Sequence, residues 1–135
     1  MIVADSNLIA YLLIPGAWNA LADKILLKDA DWAVPLLCRS EVRNILTLYM
    51  RREGMSLVQA QRTMEKAELL WRNKEFAVPS AAVLELTAHH NVTAYDCEFV
   101  LLAKQLGVPL VTFDKPLRKA FPTIAIDPEE FVMRQ

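Results

Sequence analysis

Four acidic residues are spaced so that they could carry out chemistry together: Asp5, Glu41, Asp96 and Asp114. Asp5 directly follows the β-branched run Ile2-Val3-Ala4, and Asp114 directly follows Leu110-Val111-Thr112-Phe113. Both runs read as short strands, and in open α/β sheets the binding crevice lies at the carboxyl ends of the strands. Glu41 falls on the helical stripe Leu37, Glu41, Ile45, Leu48, and Asp96 on the stripe Asp96, Phe99, Val100, Ala103. A carboxylate on such a stripe is part-buried, and burying it unpaired costs several kcal/mol, so it wants a cation or a metal. Neither stripe supplies a basic residue. Oxygen ligands without His or Cys point to Mg²⁺ or Mn²⁺, which can activate water and stabilise charge on a phosphodiester under attack. Asn7, Ser40 and Thr112 stand beside these acids and are candidates to orient ligands or water, Thr112 being equally explained as a β-branched strand residue. Lys115, Arg118 and Lys119 follow Asp114 and are candidates to meet substrate phosphate.

Each acid also has a purely structural explanation. Asp5 and Asp114 are placed to cap helices, and Asp96 stands three residues after Thr93, close to a capping box. Capping alone does not account for two acids on apolar helix stripes together with two at strand ends.

Positioning these groups takes an alternation of strands and helices, which predicts an α/β fold, a parallel sheet with helices on its faces. Strands are expected at Ile2-Val3-Ala4, Trp32-Ala33-Val34, Phe76-Ala77-Val78 and Leu110 to Phe113, with a fifth at Thr123 to Ile126. Helices are expected from Ser6 onward, over Trp18 to Leu27, over Leu36 to Arg52 with Gly54 ending it, over Leu57 to Trp71 behind the cap Ser56, from Ser80 to His90, and over Ala94 to Leu106 between Thr93 and Gly107. With no repeat, linker or low-complexity stretch, residues 1–135 read as one domain.

The bulk numbers agree with a compact protein: 135 residues, 54% apolar and 23% charged. Net charge is −1, so no basic excess announces a nucleic-acid binder. Setting aside the four site acids leaves 12 of the 16 acids against 15 bases, a surface compatible with RNA. Cys38 and Cys97 form no zinc-ligand spacing and fit a reducing compartment. The stretch MIVADSNLIAYLLIPG carries Asp5 within it and no leading positive charge, so it reads as strand and helix, not as a signal peptide. No apolar run reaches the length of about 18 residues that a membrane span needs. A cytoplasmic protein is expected, and the high apolar share leads to the expectation of an exposed apolar patch covered by a second copy or a partner.

Other features read as ordinary structure. His89-His90 is a solvated helix end, Arg51-Arg52 complements a helix dipole, Glu98 is a surface acid or secondary site member, and Trp18, Trp32 and Trp71 are core residues and not base-stacking platforms.

Asp5-Ser6-Asn7 after the first strand, Ser40-Glu41-Val42 in the helix after the second, Ala94-Tyr95-Asp96 opening a late helix, and Leu110-Val111-Thr112-Phe113-Asp114-Lys115 together resemble the PIN-domain family, and within it the VapC-type toxins of toxin–antitoxin pairs. The resemblance covers nearly the whole chain, and Tyr95 to Asp114 is its most specific part. It implies a three-layer α/β/α sandwich with a central, mainly parallel sheet, four acids holding one or two divalent ions, endonucleolytic cleavage of RNA, a homodimer, and an antitoxin whose C-terminal segment blocks the site. Many members carry a further acid a few residues beyond the position of Asp114, where this chain has Pro116, Leu117 and Arg118, and this bears on the second ion.

Two rivals remain. An α/β phosphotransfer domain also places an Asp at a strand end, but the phosphatase form wants a second Asp where Asn7 stands, and a receiver wants paired acids after the first strand. A catalytically weak PIN-like RNA-binding or scaffolding module would keep the same acids.

Overall fold

A computed structural model describes all residues, Met1 to Gln135. Five strands form one sheet: β1 (Ile2–Ala4), β2 (Trp32–Pro35), β3 (Glu75–Phe76), β4 (Leu110–Val111) and β5 (Ala125–Ile126). Their order is β3-β2-β1-β4-β5, and every adjacent pair is parallel. Ile2, Val3, Ala4, Trp32, Ala33 and Val34 are fully buried, as expected for central strands covered on both faces.

Eight helices flank the sheet: α1 (Ser6–Leu13), α2 (Asn19–Lys28), α3 (Leu37–Arg52), α4 (Leu57–Leu70), α5 (Ser80–His89), α6 (Ala94–Leu106), α7 (Lys115–Ala120) and α8 (Pro128–Met133). The chain first winds from β1 toward β3 and then back through β4 to β5. Right-handed crossovers therefore put α1 to α4 on one face and α5 to α7 on the other. The packing agrees: α1 lies against α2, α3 and α4, while α5 lies against α6, which crosses β1, β2 and β4. The winding reverses at β1, so a crevice opens beyond the carboxyl ends of β1 and β4, where the two helical layers meet. The buried cluster that supports it joins Leu8 and Ile9 of α1, Val42 and Leu46 of α3, and Phe99, Val100 and Leu102 of α6.

Several local signals act as the sequence implies. Ser56 and Gln59 form a reciprocal capping box on α4, and Gly54 and Gly107 adopt φ of +72° and +67° just after α3 and α6. Other elements differ. The third strand is Glu75–Phe76, earlier than Phe76 to Val78, and β4 stops at Val111. Its early end has a visible cause: the Phe113 N–H turns to the Asp5 carboxylate (3.1 Å) and leaves the ladder. Helix α7 is the one that a capping Asp114 implies, though the sequence set no bounds for it, and α8 was not anticipated; each has an Asp cap and a Pro in its first turn, Asp114 with Pro116 and Asp127 with Pro128. Trp32 and Trp71 are core residues, but Trp18 is not, being 44% exposed. No helix is long and apolar enough to cross a membrane.

Arg118 braces this end of the sheet. Its guanidinium donates to the Thr112 carbonyl (2.8 Å) and pairs with Asp127 (3.5 Å), tying the end of β4 to the cap of α8. Arg118→Ala strands a part-buried carbonyl, and is expected to cost about 1–3 kcal/mol, the usual range for leaving a buried acceptor unsatisfied. Urea unfolding should show a lower midpoint with an unchanged slope; an unchanged midpoint would mean that the brace carries no load.

Candidate metal centre

The crevice at the switch point has a volume of about 390 Å³, and its walls include Asp5, Glu41, Asp96 and Asp114. Each arrives from a different element: Asp5 after β1, Glu41 on α3, Asp96 in the first turn of α6 and Asp114 after β4. Asn7, Ser40 and Thr112 line it as well, joined by Ser6, Asn44 and Tyr95. No Lys, Arg or His lines it. None of the four acids takes part in an ion pair.

Asp5 is the most constrained of them. Its Oδ1 accepts from the Leu8 N–H (2.7 Å) and so caps α1, while Oδ2 accepts from the Thr112 hydroxyl (2.5 Å) and the Phe113 N–H (3.1 Å). Thr112 is 1% exposed, and its Oγ1 also accepts from the Asp114 N–H (3.1 Å). Asp114 caps α7 through Oδ1, accepting from the Leu117 N–H (2.9 Å). Capping and site-lining are thus compatible at Asp114, where the cap occupies Oδ1 alone; at Asp5 Oδ2 is engaged twice and Oδ1 once, by the cap.

Glu41 accepts from the hydroxyl of Ser6 (2.8 Å), a buried residue that sequence reasoning passed over; its place next to Asp5 was the available signal. Ser6 Oγ also lies 3.4 Å from Cys38 Sγ, and burial pushes the Cys38 thiol up to about 12, which keeps it protonated and poorly suited as a ligand. The stripe of Glu41 runs along the rim, because the buried line of α3 is Cys38, Val42 and Leu46, whereas Leu48 is 36% exposed. The Asp96 carboxylate is half-buried; its backbone N–H donates to the Thr93 hydroxyl (3.1 Å), and that hydroxyl also favours the ionised carboxylate. Of the three bases after Asp114, Arg118 is turned inward as described, and Lys115 and Lys119 are exposed.

The electrostatics are those of like charges kept close. Burial pushes the Asp5 carboxyl up, working against its three hydrogen bonds, and Asp114 pushes the same way. Burial also raises Glu41, helped by Asp96, Asp5 and Glu98 and opposed by Ser6. Asp96 is raised by burial and by Asp114, opposed by the Thr93 hydroxyl.

This donor set fits a hard divalent cation: all oxygen, several negative charges and no competing base. As arranged, no three acid, His or Cys side chains converge closely enough to cage an ion by themselves. That is no obstacle for Mg²⁺, which dehydrates reluctantly and is usually held by one or two carboxylates with water completing its shell.

Comparison with known proteins gives consistent findings. A family model described as PIN domain matches residues 2–121. Ribonuclease VapC3 of Pyrobaculum aerophilum is 31% identical over 129 residues, covering 91% of this chain and 96% of that protein. Among solved structures, PAE2754 of Pyrobaculum aerophilum superposes with a TM-score of 0.77 at 24% identity, covering 97% of this chain and 85% of that one. A toxin–antitoxin complex from Klebsiella pneumoniae gives a TM-score of 0.67 at 17% identity, covering 95% and 98%.

The raised carboxyls make the metal-free protein's stability depend on pH in a definite direction. A carboxyl whose folded pKa exceeds its unfolded one disfavours folding while ionised, and the penalty is relieved as pH falls through the folded pKa. For Asp5, Glu41 and Asp96 the relief runs from their raised values down to the ordinary carboxylate range, roughly pH 4. In EDTA the melting temperature should therefore rise as pH is lowered from neutrality toward the ordinary carboxylate range. Added Mg²⁺ should raise it at pH 7.5, and by less at pH 5.5. A metal-free melting temperature that falls steadily with acidification, with no Mg²⁺ increment at pH 7.5, would contradict this description of the site.

Proposed function

The chain belongs to the PIN-domain family, and from that premise we propose that it is a divalent-metal-dependent endoribonuclease, the toxin of a toxin–antitoxin pair. The observation that carries the reading is the crevice: four carboxylates at the switch point of a parallel sheet, with no basic residue lining it. The name of the Pyrobaculum relative supports the ribonuclease assignment, and the complex from Klebsiella supports an antitoxin as partner.

Asp5, Glu41, Asp96 and Asp114 would hold one or two Mg²⁺ or Mn²⁺ ions. A cation held there supplies Lewis acidity, lowering the pKa of a water nucleophile and neutralising charge on the phosphate. The remaining work falls to the chain. Thr112 and the Phe113 N–H orient Asp5, so its carboxylate does not have to be ordered when substrate arrives. Ser6 does the same for Glu41. Leu37, Ile45, Phe99 and Leu117 put apolar surface beside the acids and lower the local dielectric, which strengthens attraction between the acids and a cation. Lys115 and Lys119, both exposed on the helix that Asp114 caps, would meet phosphates flanking the scissile one. A second copy and the antitoxin would cover some of the exposed apolar side chains, of which Leu27, Leu84 and Met133 are examples. The protein is proposed to act in the cytoplasm, where its RNA substrate would be met.

Asp96→Asn tests the reading most cleanly, because that carboxylate caps no helix; Thr93 is the cap of α6. The fold should survive, and cleavage of a mixed RNA pool in Mg²⁺ or Mn²⁺ should drop by at least about a hundredfold, or about 2.7 kcal/mol on the barrier. Cleavage that persists in excess EDTA, or an Asp96→Asn protein within tenfold of wild type, would favour a binding module over a metal-dependent nuclease.

A further inference from the structure

Trp18 stands where its sequence context does not lead one to look for it. It precedes α2 and is 44% exposed as a residue, whereas the other two tryptophans are buried at 0% and 1% exposure. It belongs to a cluster of three aromatic rings. Phe113 meets Tyr11 edge-on at 5.0 Å between centroids and meets Trp18 at 5.3 Å with the planes tilted by 60°. Trp18 and Tyr11 lie 6.3 Å apart.

Two observations attach this cluster to the crevice and hold it still. Phe113 lies between Thr112 and Asp114, which both line the crevice, and its own N–H donates to Asp5. Its ring is thus fixed to the backbone segment that holds the acids. On the other side, the Asn19 amide donates to the carbonyls of Tyr11 and Leu12 (both 3.0 Å), locking the residue after Trp18 onto the end of α1. An exposed, rigidly held indole loses little rotamer freedom when it takes a partner, which suits it to stacking.

We propose that Trp18, backed by Phe113 and Tyr11, is a stacking platform for an unpaired base of the RNA next to the scissile phosphate. The inference rests on the nuclease reading, because it is the acids that fix where the phosphate lies. Single-stranded RNA is the ligand whose chemistry fits both halves: a phosphate at the metal centre and exposed lysines, and a flat apolar base for the indole. A duplex keeps its bases inside the stack and offers the indole no free face. The platform therefore makes the enzyme selective for loops, ends and other unpaired stretches, with no hydrogen-bond readout of base identity from these three rings.

The test uses Trp18 as its own reporter, since the other two indoles are shielded. The whole protein is titrated with a short fluorescently labelled single-stranded RNA, with Ca²⁺ replacing Mg²⁺ to slow cleavage. Binding is followed by anisotropy of the label, and stacking by tryptophan emission. Wild type should bind and lose emission; Trp18→Phe should bind within about threefold of wild type without that loss; Trp18→Ala should bind about 5- to 100-fold more weakly, the range for one base–aromatic stack. An abasic nucleotide at one position beside the cleavage site should remove the difference between wild type and Trp18→Ala. Three results would overturn the platform. RNA binding with unchanged emission and an unaffected Trp18→Ala would do so while leaving the nuclease reading intact. Emission that changes with protein concentration alone, and not with RNA, would assign Trp18 to an interface between copies. Absence of any RNA binding, together with absence of cleavage in Mg²⁺ or Mn²⁺, would remove both the platform and the nuclease reading.

Discussion

Asp5 is held from three sides, by the Leu8 N–H of α1 and by Thr112 and Phe113 beyond β4, and much of the molecule follows from that clamp. It joins the two strands between which the winding of the sheet reverses, at the level where the crevice opens. By drawing the Phe113 N–H out of the ladder it ends β4 after two residues and turns the chain into the cap of α7, which is how Asp114 reaches the same wall. The same turn places the Phe113 ring against Tyr11 and Trp18. One buried carboxylate thus orders the site acids and the aromatic cluster beside them.

The arrangement runs against the stability of the free protein. Burial and neighbouring charges both push carboxyls up at Asp5, Glu41 and Asp96, and no base in the crevice relieves them. Elsewhere in the chain acids are paired in the ordinary way, Glu75 and Glu68 with Arg39 and Asp31 with Lys74. The contrast within one molecule argues that the crevice charges are kept for a cation supplied from solution. Sites that break local rules of charge pairing are where function is expected to reside.

Much of this could be read from residue order. Period and punctuation located the five strands and six of the eight helices, because their signals are local: apolar runs, Ser and Thr caps, a Gly after α3 and α6. The placement of Asp5 and Asp114 at one edge followed from strand ends alone. What escaped was set by tertiary partners. The early end of β4 depends on Asp5, over a hundred residues away in sequence; the role of Ser6 depends on Glu41 arriving from α3; and the inward turn of Arg118 depends on Asp127. Trp18 was misjudged for a related reason, since a large aromatic is core by default and its exposure is decided by how α2 is pinned to α1. Helices α7 and α8 carried readable Asp and Pro signals, but at six residues each they offer no periodicity to support them.

The central claim is that the four carboxylates form one cation site, and paramagnetic broadening tests it directly. In ¹H–¹⁵N spectra titrated with substoichiometric Mn²⁺, the amides around Asp5, Glu41, Asp96 and Asp114 should lose intensity first and together, although they lie far apart in sequence. Asp96→Asn should shift the effect to higher Mn²⁺ without moving its centre. Broadening centred instead on the acids paired with Arg39, Glu68 and Glu75, or spread evenly over the surface, would contradict the account.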